Sequence, residues 1–245
     1  MTRHREEEPM FFKRWDALPA FMQTAEVRPY YDILKKKKIQ MVCKDLFDFI
    51  TALLLLLVLS VPMLFIGIWI KLDSKGPVFY RQERVTAYGK HFRIHKFRTM
   101  VNGADRLGSA VTTSNDARIT KAGGKLRKLR LDELPQLLDV LQGTMSFVGT
   151  RPEAVKYVQE YIPEYNATLL MKAGITSEAS IRFRDEDALL SGADDTDRVY
   201  VEKVLPQKMK WNLQSIRQFS IGNDIRTMFR TVVAVFGKDG KKEKK

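Results

Sequence analysis

Two adjacent carboxylates, Asp132 and Glu133, are the residues of this chain whose types and placement best suit catalysis. Pro135 follows them, and because proline favours the first turn of a helix, the pair should lie near a helix N-terminus. There the helix dipole favours ionised carboxylates. An ionised aspartate can attack phosphorus and form an aspartyl-phosphate. A neighbouring glutamate can hold Mg²⁺, which takes one or two carboxylates together with substrate phosphates.

Basic residues occur on both sides of this pair. Arg127 precedes it, Arg151 follows it, and Lys96 and Arg98 form a separate basic segment. Such side chains bind phosphate oxygens through charge-assisted hydrogen bonds. An Asp-Glu pair before a proline is by itself more often a solvated helix start, so its functional interpretation depends on the segments around it.

The run 49–70 contains no charged residue and is long enough to cross a bilayer. Ser60 and Pro62 interrupt its middle, and proline kinks a helix because it lacks an N–H and crowds the preceding turn. Lysines and arginines stand on both sides of the run, whereas a spanning helix normally has them in excess on one side. This pattern favours a re-entrant helix that bends at Ser60 and Pro62; a kinked spanning helix is the alternative.

Composition narrows the classes of partner. The net charge of +13 favours phosphate-bearing substrates, anionic inner-leaflet lipid or nucleic acid. The single cysteine excludes an intramolecular disulfide and fits a reducing compartment. The three histidines are too scattered for a histidine metal cluster.

Changes in composition divide the chain into an N-terminal arm (1–40), a re-entrant membrane helix (41–72), a cytoplasmic domain (73–236) and a basic tail (237–245). The aromatic-rich arm could lie on the membrane or pack on the domain. Residues 77–80 and 92–94 have strand-like content around a turn at Tyr88 and Gly89. A polar loop is predicted over 101–123. Helices are predicted over 131–141, 153–170, 185–192 and 201–236.

Several segments, in this order, resemble the bacterial sugar transferase family, the small monotopic phosphoglycosyltransferases that start glycan assembly on polyprenyl phosphate. The matching segments are KDLFD (44–48), GPVFYRQERV (76–85), KFRTM (96–100), DARIT (116–120), LDELPQ (131–136), VGTRPE (148–153) and VLPQK (204–208). The resemblance covers roughly residues 41–235.

The resemblance implies an α+β, predominantly helical fold: a re-entrant membrane helix and a compact cytoplasmic domain with a small β element, at the bacterial inner membrane. It also implies Mg²⁺ dependence and a two-step reaction. Asp132 would attack the sugar-bearing phosphate of a UDP-sugar and release UMP, and undecaprenyl phosphate would then take the phosphosugar. Glu133 would hold Mg²⁺. The glycan so begun would be an exopolysaccharide, capsule, O-antigen or glycoprotein.

Further roles are implied for the basic residues. Arg127 and Lys96 would bind phosphate with Arg98 in support, and Arg151 with Pro152 would form part of the nucleotide pocket. This chain has Thr150 where the family has a proline, which leaves the details of that pocket undecided.

Two other classes of function compete with this interpretation. A membrane-tethered nucleic-acid-binding protein would account for the net charge, and a scaffold would recruit other glycan enzymes without catalysis. Against the first, many cations fall beside the carboxylate pair instead of in a run interleaved with exposed aromatics. The sequence does not identify the sugar, although 101–115 and 172–192 are candidate specificity regions, and it leaves a homodimer open.

Overall fold

A computed structural model describes residues 12–104, 116–184 and 195–236 of the chain. Residues 105–115 of the predicted loop, the predicted helix 185–192 and the basic tail 237–245 lie outside the described residues. The α-helices are α1 (Arg28–Lys35), α2 (Lys38–Asp73), α3 (Lys121–Lys128), α4 (Gln136–Leu141), α5 (Val155–Val158), α6 (Glu178–Arg182), α7 (Thr196–Val199), α8 (Leu205–Arg217) and α9 (Ile221–Phe236). The strands are β1 (Phe79–Val85), β2 (His91–Phe97), β3 (Met145–Val148) and β4 (Ala173–Thr176).

The predicted hairpin is confirmed. Strands β1 and β2 pair antiparallel, with Phe79 opposite Phe97 and their rings stacked at 5.6 Å. The turn uses two left-handed residues, Tyr88 at φ 59° and Gly89 at φ 71°. The predominantly helical α+β class is also confirmed, since the sheets of the described residues have two strands each.

Other elements differ from the predictions. Helix α3 begins at Lys121, inside the segment predicted as loop, because Thr120 caps it by accepting the Gly123 N–H at 3.0 Å. The predicted helix 153–170 is reduced to α5 and a 3₁₀ helix, Pro163–Leu170. The parallel pair β3 and β4 was not predicted. Strands this short and buried have no periodicity that distinguishes them from helix.

The arm packs on the domain in its described part, which decides between the two placements left open. Met22, Val27, Tyr30 and Leu34 are buried among residues of the 3₁₀ helix Pro163–Leu170 and of α8. The Tyr30 hydroxyl donates to Glu164 Oε1 at 2.6 Å and accepts from Arg217 Nη2 at 2.8 Å. The arm therefore shares the hydrophobic core of the domain.

The apolar run lies within α2, which by length and composition could cross a membrane. Helix α2 continues from Lys38 to Asp73 with Pro62 inside it, so the predicted re-entrant bend stays a prediction. Ser60 Oγ donates to the Leu57 carbonyl at 2.9 Å, whereas the carbonyl that loses its helical N–H partner to Pro62 is that of Val58.

One face of α2 packs against the domain along most of its length. Its residues Ala52, Leu55, Leu56 and Leu59 adjoin β2, α4 and β3, and Met63, Ile66 and Ile70 adjoin Phe97 and Leu126. Its remaining surface exposes large apolar side chains, among them Leu54, Leu57, Val58, Val61, Leu64, Phe65 and Leu72. This helix is therefore a wall of the domain on one side and an apolar surface on the other.

The C-terminal end of α2 is tied to the domain by polar contacts. Asp73 Oδ2 accepts the Ala122 N–H at 3.1 Å, which joins α2 to the first turn of α3. The buried Arg98 guanidinium donates to the carbonyls of Ser74 at 2.7 Å and Lys75 at 2.5 Å. These contacts satisfy backbone groups that helix ends leave unpaired.

Two adjacent glycines of α3 allow a matched test of this packing. A Cβ at Gly123 would lie 2.0 Å from the Thr99 carbonyl oxygen, whereas a Cβ at Gly124 would meet only Ile119 Cγ2 at 3.9 Å. We expect Gly123→Ala to lower the free energy of unfolding by about 1–3 kcal/mol or more. We expect Gly124→Ala to be neutral or stabilising by up to about 1 kcal/mol, because alanine favours helix. Thermal unfolding of the two purified variants measures this difference, and equal stability would contradict the packing described.

Candidate active site

The two catalytic candidates lie in a 3₁₀ turn, Leu131–Glu133, directly before α4. Arg130 precedes the turn in a left-handed conformation, with φ 56°. This left-handed residue changes the direction of the chain after α3. Arg127, near the end of α3, and Asp132, in the turn, line the same cavity. The pair thus lies close to a helix start, as Pro135 predicts.

Glu133 is buried and surrounded by cations. Its Oε1 accepts from Arg151 Nη2 at 2.6 Å and from Lys96 Nζ at 3.3 Å, and Arg130 Nη1 lies 3.7 Å away. Burial would raise the pKa of Glu133, but the charges of Arg151 and Lys96 outweigh it and hold this pKa well below its usual value. Glu133 is therefore an ionised carboxylate whose charge is already compensated.

Asp132 is in a different environment. Its Oδ1 is buried and has no hydrogen-bond partner within the described part of the chain. Burial and the adjacent Glu133 raise the pKa of Asp132, against the opposing charges of Lys96 and Arg127. An unpartnered buried oxygen is costly unless a ligand completes its environment. The neighbouring carboxylates therefore differ: the charge of Glu133 is balanced by cations, whereas Asp132 has an oxygen without a hydrogen-bond partner in the described residues.

Lys96 carries a charge that depends on pH near neutrality. Burial lowers the pKa of Lys96 to about 8, despite the favourable charge of Glu133. Arg151 lowers this pKa further, because like charges repel. Lys96 is therefore protonated below about pH 8 and becomes neutral above it.

A cavity of about 1010 Å³ contains these groups. Its basic lining comes from Arg84, Lys96, Arg98, Arg118, Arg127, Lys128, Arg130, Arg151, Arg184 and Lys208, and its carboxylates are Asp132, Glu133 and Glu153. Its apolar lining includes Leu55 and Leu59 of α2, with Leu137, Phe147 and Ile175 of the domain. The cavity therefore joins a cationic region around the carboxylates to a wall made by α2.

The remaining predicted site residues take several positions. Arg127 and Arg151 line the cavity, and the Pro152 carbonyl accepts from Arg84 Nη1 at 3.3 Å. Arg98 also lines the cavity, although its terminal nitrogens hold the carbonyls at the end of α2. The binding roles of these residues stay predictions.

Sequence reasoning assigned no role to three buried polar residues of the cavity, Glu153, Tyr200 and Lys208. Glu153 Oε1 accepts from Tyr200 Oη at 2.7 Å and from Lys208 Nζ at 3.2 Å. Burial would raise the pKa of Glu153, but Lys208 and the Tyr200 hydrogen bond hold it below its usual value. The available signal was that Glu153 and Lys208 lie in the segments VGTRPE and VLPQK.

The segment KDLFD, at the start of the apolar run, forms a second buried polar cluster. Lys44 Nζ lies 2.7 Å from Asp224 Oδ2 and 3.4 Å from Asp48 Oδ2, and the latter accepts from Ser146 Oγ at 2.6 Å. This cluster joins α2 to α9 and β3. Both ends of α2 are thus attached to the same domain through polar contacts.

Comparison with known proteins places the chain in a family. A sequence model of the bacterial sugar transferase family matches residues 39–238. The exopolysaccharide production protein PSS of Rhizobium leguminosarum bv. phaseoli is 39% identical over 201 residues, covering 79% of this chain and 95% of that protein.

Two longer relatives carry names that state a reaction. The UDP-glucose:undecaprenyl-phosphate glucose-1-phosphate transferase of Escherichia coli K12 is 36% identical over 218 residues, covering 88% of this chain and 44% of that protein. The UDP-N-acetylgalactosamine-undecaprenyl-phosphate N-acetylgalactosaminephosphotransferase of Aeromonas hydrophila is 34% identical over 188 residues, covering 76% of this chain and 41% of that protein. The chain therefore spans less than half the length of these two relatives. With a family match over most of its length, this chain belongs to the bacterial sugar transferase family.

Proposed function

We propose that this protein transfers a sugar-1-phosphate from a UDP-sugar to undecaprenyl phosphate and releases UMP, as the first membrane step of glycan assembly. The observation that carries the proposal is the unpartnered Asp132 oxygen in a cationic cavity that is also lined by the membrane helix. The names of the relatives supply the substrate class. Because those names specify two different sugars, we name the donor only by its class, a UDP-sugar.

In the first step, Asp132 acts as the nucleophile. One of its carboxylate oxygens attacks the sugar-bearing phosphorus, and the bond from that phosphorus to the bridging oxygen breaks. UMP leaves with the bonding electron pair, and Asp132 becomes esterified to the phosphosugar. Arg127, Arg151 and Lys96 bind the phosphate oxygens, because phosphoryl transfer depends mainly on positioning and charge neutralisation.

In the second step, a phosphate oxygen of undecaprenyl phosphate attacks the same phosphorus. The Asp132 oxygen leaves as a carboxylate, which regenerates the enzyme and forms the lipid-linked sugar diphosphate. The acceptor is already an anion near neutral pH, so it needs no general base. Leu55 and Leu59 of α2 line the same cavity, which lets a lipid-borne acceptor reach Asp132 from the membrane side.

We also propose that Mg²⁺ takes part in the reaction. The described residues contain no group of three or more His, Cys, Asp or Glu side chains arranged for a metal, which excludes a cage made of protein alone in that part of the chain. Mg²⁺ instead uses one or two carboxylates plus substrate phosphates. Glu133 would hold it beside the unpartnered Asp132 oxygen, where the ion would neutralise charge on the transferring phosphate.

We also propose that the protein is monotopic at the bacterial inner membrane, with its domain in the cytoplasm, and the packing of α2 supports the monotopic arrangement. Polar contacts near both ends, at Asp48 and at Asp73, attach α2 to one domain. A straight spanning helix would carry those ends to opposite faces of the bilayer. We therefore retain the re-entrant path, with the exposed apolar surface of α2 toward lipid. Contacts with anionic lipid and with a second copy of the chain stay predictions.

Nucleic-acid binding is not favoured. The basic residues described above line a concave cavity together with carboxylates, whereas binding of single strands uses an open cationic groove with exposed aromatics. A scaffold without catalysis would not explain why a buried Asp132 oxygen lacks a partner in a cationic cavity of the described residues. It predicts that Asp132→Asn has no effect on glycan initiation.

The nucleophile assignment is tested by intact-mass measurement and UMP release. Wild-type enzyme given a panel of UDP-sugars without acceptor should release about one equivalent of UMP and gain a phosphosugar adduct, as covalent catalysis requires. Asp132→Asn should abolish both. Because burial opposes the Asp132 charge, this variant should keep the wild-type thermal midpoint. UMP release that requires the acceptor, with no adduct, would instead make Asp132 a general base.

The charge of Lys96 should control how donor use depends on pH. As pH rises through about 8, Lys96 loses its proton and the donor phosphate loses one cationic partner. We expect kcat/KM for the UDP-sugar, which reports groups of the free enzyme, to fall with a midpoint near that pH. Lys96→Arg should move the fall to higher pH, because arginine stays charged. An unchanged midpoint in this variant would show that another group titrates.

The topology is tested with single cysteines at the two ends of α2. Lys38→Cys and Lys75→Cys, each in a Cys43→Ser background, replace exposed residues. In intact cells both cysteines should be shielded from an impermeant thiol reagent, and both should react after lysis. Labelling of one end alone from outside would mean that α2 spans the membrane.

A further inference from the structure

Glu153, Tyr200 and Lys208 form a hydrogen-bonded network that the transfer reaction described above does not use. Besides the two hydrogen bonds to Glu153, Lys208 Nζ donates to the Tyr200 hydroxyl at 2.7 Å. Relative exposures are 6% for Glu153, 2% for Tyr200 and 4% for Lys208. A buried ion pair is weak evidence for stability, because desolvation offsets the attraction between its charges. Its presence beside the cavity therefore points to a role other than general stability.

The network holds the segment that carries Arg151. The Glu153 carbonyl accepts the Val85 N–H at 3.1 Å, and the Pro152 carbonyl accepts from Arg84. On the other side, the Thr150 carbonyl accepts the Gly174 N–H at 2.9 Å. The backbone on both sides of Arg151 is thus attached to strands, and the Glu153 carboxylate adds an attachment to the C-terminal helices.

A local helix irregularity brings the two donors of this network together. In a regular α-helix, residues eight apart differ by about 80° around the axis, because about 3.6 residues make one turn. Residues Tyr200–Val204 form a π turn, in which the Leu205 N–H donates to the Tyr200 carbonyl. The wider turn reduces that angle, so Tyr200 and Lys208 reach the same carboxylate. Such π turns are rare and frequent at functional sites.

We propose that Lys208 and Tyr200 are positioning residues, which act through Glu153 to hold Arg151 against Glu133 and the donor phosphate. This inference rests on the proposed function, since it takes Arg151 as a ligand of the donor. It assigns a role to the VLPQK segment, whose Lys208 would touch neither Asp132 nor the reacting phosphorus. Loss of Lys208 should therefore weaken donor binding only while Arg151 is present.

A double-mutant cycle tests this dependence. The affinity of the full-length, detergent-solubilised protein for UDP with Mg²⁺ is measured for Lys208→Met, Tyr200→Phe, Arg151→Ala and the two double variants with Arg151→Ala. Each single variant should raise Kd about tenfold, the change that one hydrogen bond to a charged group carries. In the Arg151→Ala background, Lys208→Met and Tyr200→Phe should have little further effect. Additive losses would overturn the proposal.

The chain offers a matched control in Tyr30, another buried tyrosine that donates to a glutamate and accepts from a cation. Tyr30→Phe should lower the thermal midpoint but leave Kd for UDP unchanged. Equal effects of Tyr30→Phe and Tyr200→Phe on Kd would mean that stability alone is involved, and the proposal would fail.

A third measurement does not depend on substrate. Hydrogen exchange of the Val85 and Gly174 amides, which bond to the segment around Arg151, should accelerate in Lys208→Met, and unchanged exchange would overturn the proposal. If Lys208→Met or Tyr200→Phe does not fold, the cycle is measured with the other variant.

Wild-type protein that binds UDP but releases no UMP from any UDP-sugar would contradict the proposed function while leaving the positioning role standing. Wild-type protein that does not bind UDP would overturn both.

Discussion

The structure around the candidate active site depends on how two adjacent carboxylates, of which Glu133 is buried, are held in one cavity. Ionised carboxylates repel each other and lose hydration on burial, so such a pair needs compensating charge. Glu133 receives it from Arg151 and Lys96, at 2.6 and 3.3 Å. Asp132 has no such close cationic partner at its Oδ1, which accepts no hydrogen bond in the described part of the chain. This asymmetry is what the proposed division of roles between Glu133 and Asp132 rests on.

The cations around the two carboxylates come from distant parts of the sequence, and each is held in place by a different element. Lys96 is held by the hairpin, with Tyr80 opposite it across the strands. Arg151 follows strand β3, in a segment tied to β1 and β4. Arg127 stands in the last turn of α3, whose negative dipole end favours a cation. Much of the domain therefore serves to bring charges from separate elements to one short turn.

The apolar helix α2 has a structural role in this arrangement as well as the proposed anchoring one. It supplies apolar residues to the core and to the cavity wall, and its last turn is joined to α3 through Asp73. The proposed reaction needs a water-soluble donor and a lipid acceptor to meet at one phosphorus atom, and a cavity lined by both the domain and α2 suits that reaction. The exposed apolar surface of α2 is large for a soluble protein, which fits contact with lipid.

The sequence by itself determined the family, the carboxylate pair, the apolar helix and the hairpin. Each depends on local signals: an ordered set of short segments, an uncharged run, and strand-forming residues around a Tyr-Gly turn. Only the tertiary structure decided that the described arm packs on the domain, that Glu133 and Asp132 have opposite pKa shifts, and that Lys208 meets Glu153. These features depend on contacts between residues far apart in the chain. Strands β3 and β4 were missed for the same reason, because four-residue buried strands are defined by their partner across the sheet and carry no periodicity of their own.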